Sequence, residues 1–187
     1  MGWLEDKNIF EKVFLEARTC VHTDSGRLPT ELQKLTFDDA EICTRQFADL
    51  LQKLMEWSDD TTCFYAVLDP DPVYYFHRLF GKYPVVEIEK GTPATSYLES
   101  LNEGPPESPA DAVGINWSEC VILPPSNGWF VHALRSDRDD AGHLWVPLGW
   151  VERVAATYPY ASAVNRELPA TSSLSRPSRP TICEPHV

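Results

Sequence analysis

Residues 117–160 read WSECVILPPSNGWFVHALRSDRDDAGHLWVPLGWVERVAATYPY, and the fold class turns on how this stretch is parsed. Cys120 to Leu123 is a short apolar run of β-forming residues, which ends where Pro124-Pro125-Ser126-Asn127-Gly128 interrupts it. Asn127-Gly128 suits a tight hairpin, because both residues tolerate positive φ. Trp129 to Leu134 then runs back, apolar on both faces except at His132. The charged connection Arg135 to Gly142 leads to a third strand, His143 to Val146, and Gly149 separates that strand from a helix. In the helix Trp150, Val151, Val154, Ala155 and Tyr158 recur at helical spacing, until Pro159 stops it. A three-strand meander closed by a helix is the expectation, and its antiparallel pairing sets the character of the whole sheet.

The composition bounds what surrounds this unit. A chain of 187 residues with 43% hydrophobic and 11% aromatic content can build one well-formed core and leaves little room for a second domain. Acidic side chains outnumber basic ones 28 to 16, for a formal charge of -12. That sign repels phosphate backbones and favours a basic protein as partner over nucleic acid. No apolar run reaches the length a bilayer demands, and the acidic N-terminal MGWLEDKNIF is unlike a secretory signal, so a cytoplasmic location is expected without membrane attachment. Five widely spaced cysteines fit reduced thiols rather than a disulfide framework.

Read in order, Leu4 to Ala17 forms an amphipathic helix with Ile9, Phe10, Val13, Phe14 and Ala17 on one stripe. Thr19 to Leu35 lacks periodicity, apart from a short helical turn around Glu31 to Leu35. A long helix is expected from Thr36, its cap, to Trp57, burying Ala40, Cys43, Phe47, Leu50, Leu51 and Leu54. Thr61 to Leu68 reads as a central strand, Val73 to Phe80 as a helix closed at Gly81, Val85 to Ile88 as a strand and Ala94 to Leu101 as a helix. Asn102 to Asn116 is an acidic surface loop, and the Ser-, Pro- and Arg-containing stretch after Tyr160 is a flexible tail. The sum is a single α+β domain over residues 1–160, with a tail over 161–187. Its sheet is expected to be mixed but mostly antiparallel, with helices packed on it.

Three groups of residues could carry chemistry. YAVLDPDPVY, Tyr65 to Tyr74, resembles the first motif of the haloacid dehalogenase family of phosphohydrolases. The resemblance implies Asp69 as nucleophile and Asp71 as its acid/base partner, with Ser126 at the end of VILPPS imitating the second motif. Its structural alternative makes Asp71 a helix cap before Pro72 and Asp69 a turn residue. His132 and His143 lie on neighbouring strands where they can face each other, and Asp137, Asp139 or Asp140 could orient one as a base; the alternative is two ordinary histidines of a sheet. Cys20-Val21-His22 and Cys183-Glu184-Pro185-His186 lack the second ligand pair of a structural zinc site, so neither metal nor cofactor is expected.

The leading functional expectation is a non-catalytic acidic module that binds a basic partner protein. This profile is similar in physical type to bacterial immunity proteins, which neutralise a toxin by presenting acidic and aromatic side chains. Glu103, Glu107, Asp137, Asp139 and Asp140 would supply charge, and Trp117 an aromatic anchor, with Tyr74, Tyr75 and Tyr83 as further aromatics. The alternatives are a small hydrolase using Asp69 and Asp71 or His132 and His143, and a subunit of a homo-oligomeric assembly.

Overall fold

The chain packs helices on both faces of one eight-stranded sheet in which every pairing is antiparallel. The structure is a computed structural model and describes residues 2–22, 32–69, 76–106, 112–135 and 140–163. In chain order the strands are β1 (Gly2–Trp3), β2 (Leu32–Asp38), β3 (Thr62–Asp69), β4 (Val85–Glu89), β5 (Glu119–Leu123), β6 (Phe130–Leu134), β7 (Ala141–Pro147) and β8 (Ser162–Ala163). They lie side by side as β1-β4-β3-β5-β6-β7-β2-β8. The helices are α1 (Lys7–His22), α2 (Arg45–Ser58), the short α3 (Arg78–Phe80), α4 (Ala94–Leu101) and α5 (Val151–Thr157).

The meander forms where the sequence places it. Asn127 takes φ 54°, the positive angle its turn requires, and β5, β6 and β7 pair in succession. A 3-10 turn at Leu148–Trp150 joins β7 to α5. Central β3 is buried on both faces between β4 and β5. Gly81 closes α3 at φ 72°, in the left-handed region where a Cβ would be strained.

Alternation along the strands divides the core in two. Tyr65, Val67, Val86, Cys120, Ile122, Val131, Leu144 and Val146 face α2, α4 and α5, meeting Phe47, Leu50, Leu51, Leu54, Tyr97 and Val154. Ala66, Leu68, Val85, Val121, Leu123 and Phe130 face α1, against Phe10, Val13 and Ala17. Each fully buried side chain of this size removes enough apolar surface from water to contribute about 1.5–3 kcal/mol. Tyrosines bring their hydroxyls to backbone acceptors: Tyr97 Oη donates to Ile42 O at 2.9 Å and Tyr65 Oη to Gly114 O at 3.1 Å. A Cβ on Gly114 would stand 2.5 Å from Leu101 O, so only glycine fits that approach.

The segment before α2 corrects the expected long helix. Thr36 lies within β2, paired to His143, and does not cap a helix. Leu32 to Leu35 belongs to the same strand and forms no helical turn. Asp38 instead caps a 3-10 turn, Asp39–Cys43, by accepting from Ala40 N at 3.0 Å. Thr44 then caps α2, its Oγ1 accepting from Phe47 N at 3.2 Å. Ala40 is exposed and Cys43 half-buried, whereas Phe47, Leu50, Leu51 and Leu54 form the buried stripe. The first helix starts later than expected, capped by Asp6, whose Oδ1 accepts from Asn8 N at 2.7 Å, and it runs on to His22. Beyond Tyr160 the sheet gains two more residues as β8 pairs with β2; residues 164–187 lie outside the described part. Among the described residues no helix is long and apolar enough to cross a membrane.

Candidate functional site

One register row gathers carboxylates from separate parts of the chain. Asp69 pairs with Glu119, Glu119 with Leu134, Leu134 with Ala141, and Ala141 with Asp38. The row crosses β3, β5, β6, β7 and β2 at one end of the sheet. Three of its five side chains are acids, and Asp140 immediately precedes Ala141. Asp38, Asp69 and Asp140 are exposed, Glu119 is half-buried, and Leu134 adds an apolar side chain 40% exposed in their midst. Backbone bonds lace the row together: Ser118 N donates to Asp69 O at 2.8 Å, and Arg135 N to Ser118 O at 2.7 Å.

Behind this edge sits a basic side chain. Arg135 Nε donates to Asp39 Oδ2 at 2.5 Å, and its Nη1 donates to Ile115 O at 2.7 Å. The guanidinium carbon stands 4.3 Å from the centre of the Trp117 ring, within cation–π range. Partial burial works against the charged guanidinium, but the hydrogen bond and charge of Asp39 outweigh it and hold the Arg135 pKa above its ordinary value. Asp39 is itself buried, with a side chain 6% exposed against 34% for Arg135. The cation is therefore already engaged, and the carboxylates in front of it keep their own field.

On the α1 side of the same strands, His132 and His143 stand directly opposite each other across β6 and β7. His132 Nε2 lies 3.0 Å from Glu119 Oε1, with side-chain exposures of 17% and 24%. The two histidines thus face each other as the alternation of the strands implied, and Glu119 of β5 places a carboxylate beside His132; of the expected orienting aspartates, Asp137 and Asp139 lie outside the described residues.

The remaining candidates are distributed as follows. Trp117 is buried to 2% exposure beneath Arg135, so its ring is core rather than a surface anchor. Its Nε1 meets no acceptor among the described residues. Tyr83 is likewise buried, stacked on Phe10 at 4.6 Å and on His77 at 4.3 Å. Glu103 pairs with Lys82 Nζ at 2.8 Å on the surface, a contact of little energetic weight. Asp71, Tyr74, Tyr75, Glu107, Asp137 and Asp139 lie outside the described residues. Yet Pro106 and Ala112, and Arg135 and Asp140, bracket two of those segments, and Arg135 and Asp140 stand on the acidic edge. Asp69 and Ser126 cannot act together. Leu123 pairs with Phe64, five residues along β3 from Asp69, so roughly 17 Å of strand separates the level of Asp69 from the end of β5 that precedes Ser126. Ser126 bonds instead to Asp60, its Oγ donating to Oδ2 at 2.7 Å.

Reactive thiolates do not arise at the four described cysteines. Burial, reinforced by Glu16, pushes Cys20 up to about 11. Burial raises Cys43 as well, opposed by Arg135 beside it, and drives buried Cys63 and Cys120 further up. All four are neutral thiols near pH 7. Among the described residues no group of three or more His, Cys, Asp and Glu side chains is arranged to hold a metal ion.

Sequence reasoning read Asp39 as an acid of a helix's first turn and Arg135 as the start of a charged connection, and missed that the two pair. The available signal was an arginine directly after the apolar β6 run and a doubled Asp38-Asp39, which only the strand register connects. Compared with known proteins, the chain matches no family model, no curated protein and no solved structure.

Proposed function

We propose that the chain is a non-catalytic protein-binding module that receives a basic partner at the acidic sheet edge. The observation that carries this reading is the register row Asp69–Glu119–Leu134–Ala141–Asp38, which brings acids from three strands to one end beside Asp140. Carboxylates held on strand ends are pre-placed, so ordering them on binding costs little side-chain entropy beyond their own rotamers. Their shared sign speeds encounter with a basic surface, and exposed Leu134 offers apolar contact at the centre of the row. An inhibitor of the immunity type would use such a surface.

The test is affinity capture from the native host with the unaltered chain and with a D69N/E119Q/D140N variant. The expected result is a protein of high isoelectric point retained by the first and lost by the second, released as salt rises from about 0.05 to about 0.5 M. Retention by both forms, or release that ignores salt, overturns the reading.

A second reading rests on the His132–Glu119 contact at 3.0 Å, which orients an imidazole for general acid/base work. Hydrolysis of p-nitrophenyl esters that disappears in His132→Gln, with folding intact by circular dichroism, is its expected signature. Equal rates in the two forms exclude it.

A further inference from the structure

We infer that Arg135 is the positioning residue of the acidic edge: one guanidinium clamps three chain segments and thereby sets where the edge carboxylates stand. The inference rests on the binding function proposed above but is tested partly without any partner. Arg135 is the first residue after β6 and reaches Asp39 in the 3-10 turn that follows β2, as well as Ile115 O and the Trp117 ring in the segment before β5. Those three segments adjoin Leu134, Asp38 and Glu119 of the row. Trp117 has no hydrogen bond from its indole nitrogen among the described residues, so its ring is held by packing alone, in the core and against the guanidinium. The planar fork of arginine matters here, because it donates in two directions while stacking on an indole, which the point charge of lysine cannot do.

A role through charge alone predicts the opposite sign from a role through position. Removing a cation makes the edge more negative and should tighten a basic ligand; removing a clamp should loosen the carboxylates and weaken it. Arg135→Met and Arg135→Lys separate the two, the lysine variant keeping the charge and the better chance of folding should the methionine variant fail. Hydrogen exchange followed by mass spectrometry on the full chain is expected to rise in Arg135→Lys within 38–44, 113–119 and 140–142, with α1 and the α2–β3 connection unchanged. Binding to protamine, an arginine-rich polypeptide, at about 0.1 M salt is expected to weaken at least about fivefold in both variants, as lost preorganisation of two or more side chains implies. Exchange that rises uniformly or not at all, or protamine binding that tightens in Arg135→Met, overturns the positioning role. Failure of the unaltered chain to bind protamine counts against the acidic-edge function, and the exchange pattern then decides the role of Arg135 by itself.

Discussion

Asp39 and Asp60 are buried carboxylates at opposite ends of the same sheet, and different chemistry satisfies each. Asp60 is 8% exposed and closes the turn after β5: its Oδ1 accepts from Ser126 N at 3.3 Å and its Oδ2 from Ser126 Oγ at 2.7 Å. Nearby, Trp129 Nε1 donates to Ser58 Oγ at 3.2 Å, again from a neutral donor. Asp39 answers to a guanidinium that also reaches a backbone carbonyl and an indole face. Neutral donors suffice where the chain has only to turn tightly, as at Asn127. A charged clamp appears at the end where the row of Asp69, Glu119 and Asp38 gathers acids. The difference marks one end as a closed structural turn and the other as a surface whose negative charge is retained under restraint.

The largest expected effect tests that contrast directly. Arg135→Met leaves Asp39 buried without its cation and should destabilise the fold by about 3 kcal/mol, the low end for a broken buried pair because a third of the guanidinium is already in water. Combining it with Asp39→Asn should return at least half of the loss, since the uncompensated charge is then gone. Urea denaturation measures both. If the double variant is no more stable than the single, the pair is not the unit that matters at this end.

At the neutral end the expected effect is smaller. Asp60→Ala removes one acceptor of two hydrogen bonds to exposed Ser126, whose freed donors can turn to water, so the loss should be about 1–2 kcal/mol. A loss equal to that of Arg135→Met in the same denaturation series would erase the distinction between the two ends.

How far the sequence could have revealed this contrast depends on how local each feature is. The meander, central β3, β4, α4 and the Asn127 turn were legible, because each rests on a run of β-formers, a period or a turn dipeptide within a few residues. Strand β2 was not: Thr36, Asp38 and Thr44 all carry cap chemistry, and Leu35 and Phe37 alternate over too few positions to outweigh them. Pairing with β7 along its whole length, and with β8 at Leu35 and Thr36, makes a strand of Leu32–Asp38. With two residues each, β1 and β8 have no period to read. For the site, the acidity of the two connections was plain, and so was the facing of His132 and His143. The row through Asp38, Asp69 and Glu119 was hidden, because register is a tertiary property, as was the stacking on Trp117 of an arginine 18 positions away.

The smallest expected difference concerns the cysteine beside each carboxylate. Burial raises Cys63, and Asp60 adds to the push; burial also raises Cys43, but there Arg135 opposes it. A thiol whose folded pKa lies above its unfolded value stabilises the fold below the unfolded pKa, near 8.5. That contribution is lost as pH rises, because the unfolded chain ionises first and gains the free energy of doing so. Between pH 7.5 and 9.5, Cys63 should therefore account for a drop of about 1.4 kcal/mol, and Cys43 for less, since its folded form begins to ionise sooner. Stability measured by urea at both pH values in Cys63→Ala and Cys43→Ala checks this through the size of the drop, which is independent of any cavity each substitution leaves. The Cys63 variant should lose clearly less stability across that interval than the unaltered chain, and the Cys43 variant should lie between the two. The reverse order would mean that Arg135 does not reach Cys43 with its charge in solution, and the clamp at the acidic end would be looser than its geometry implies.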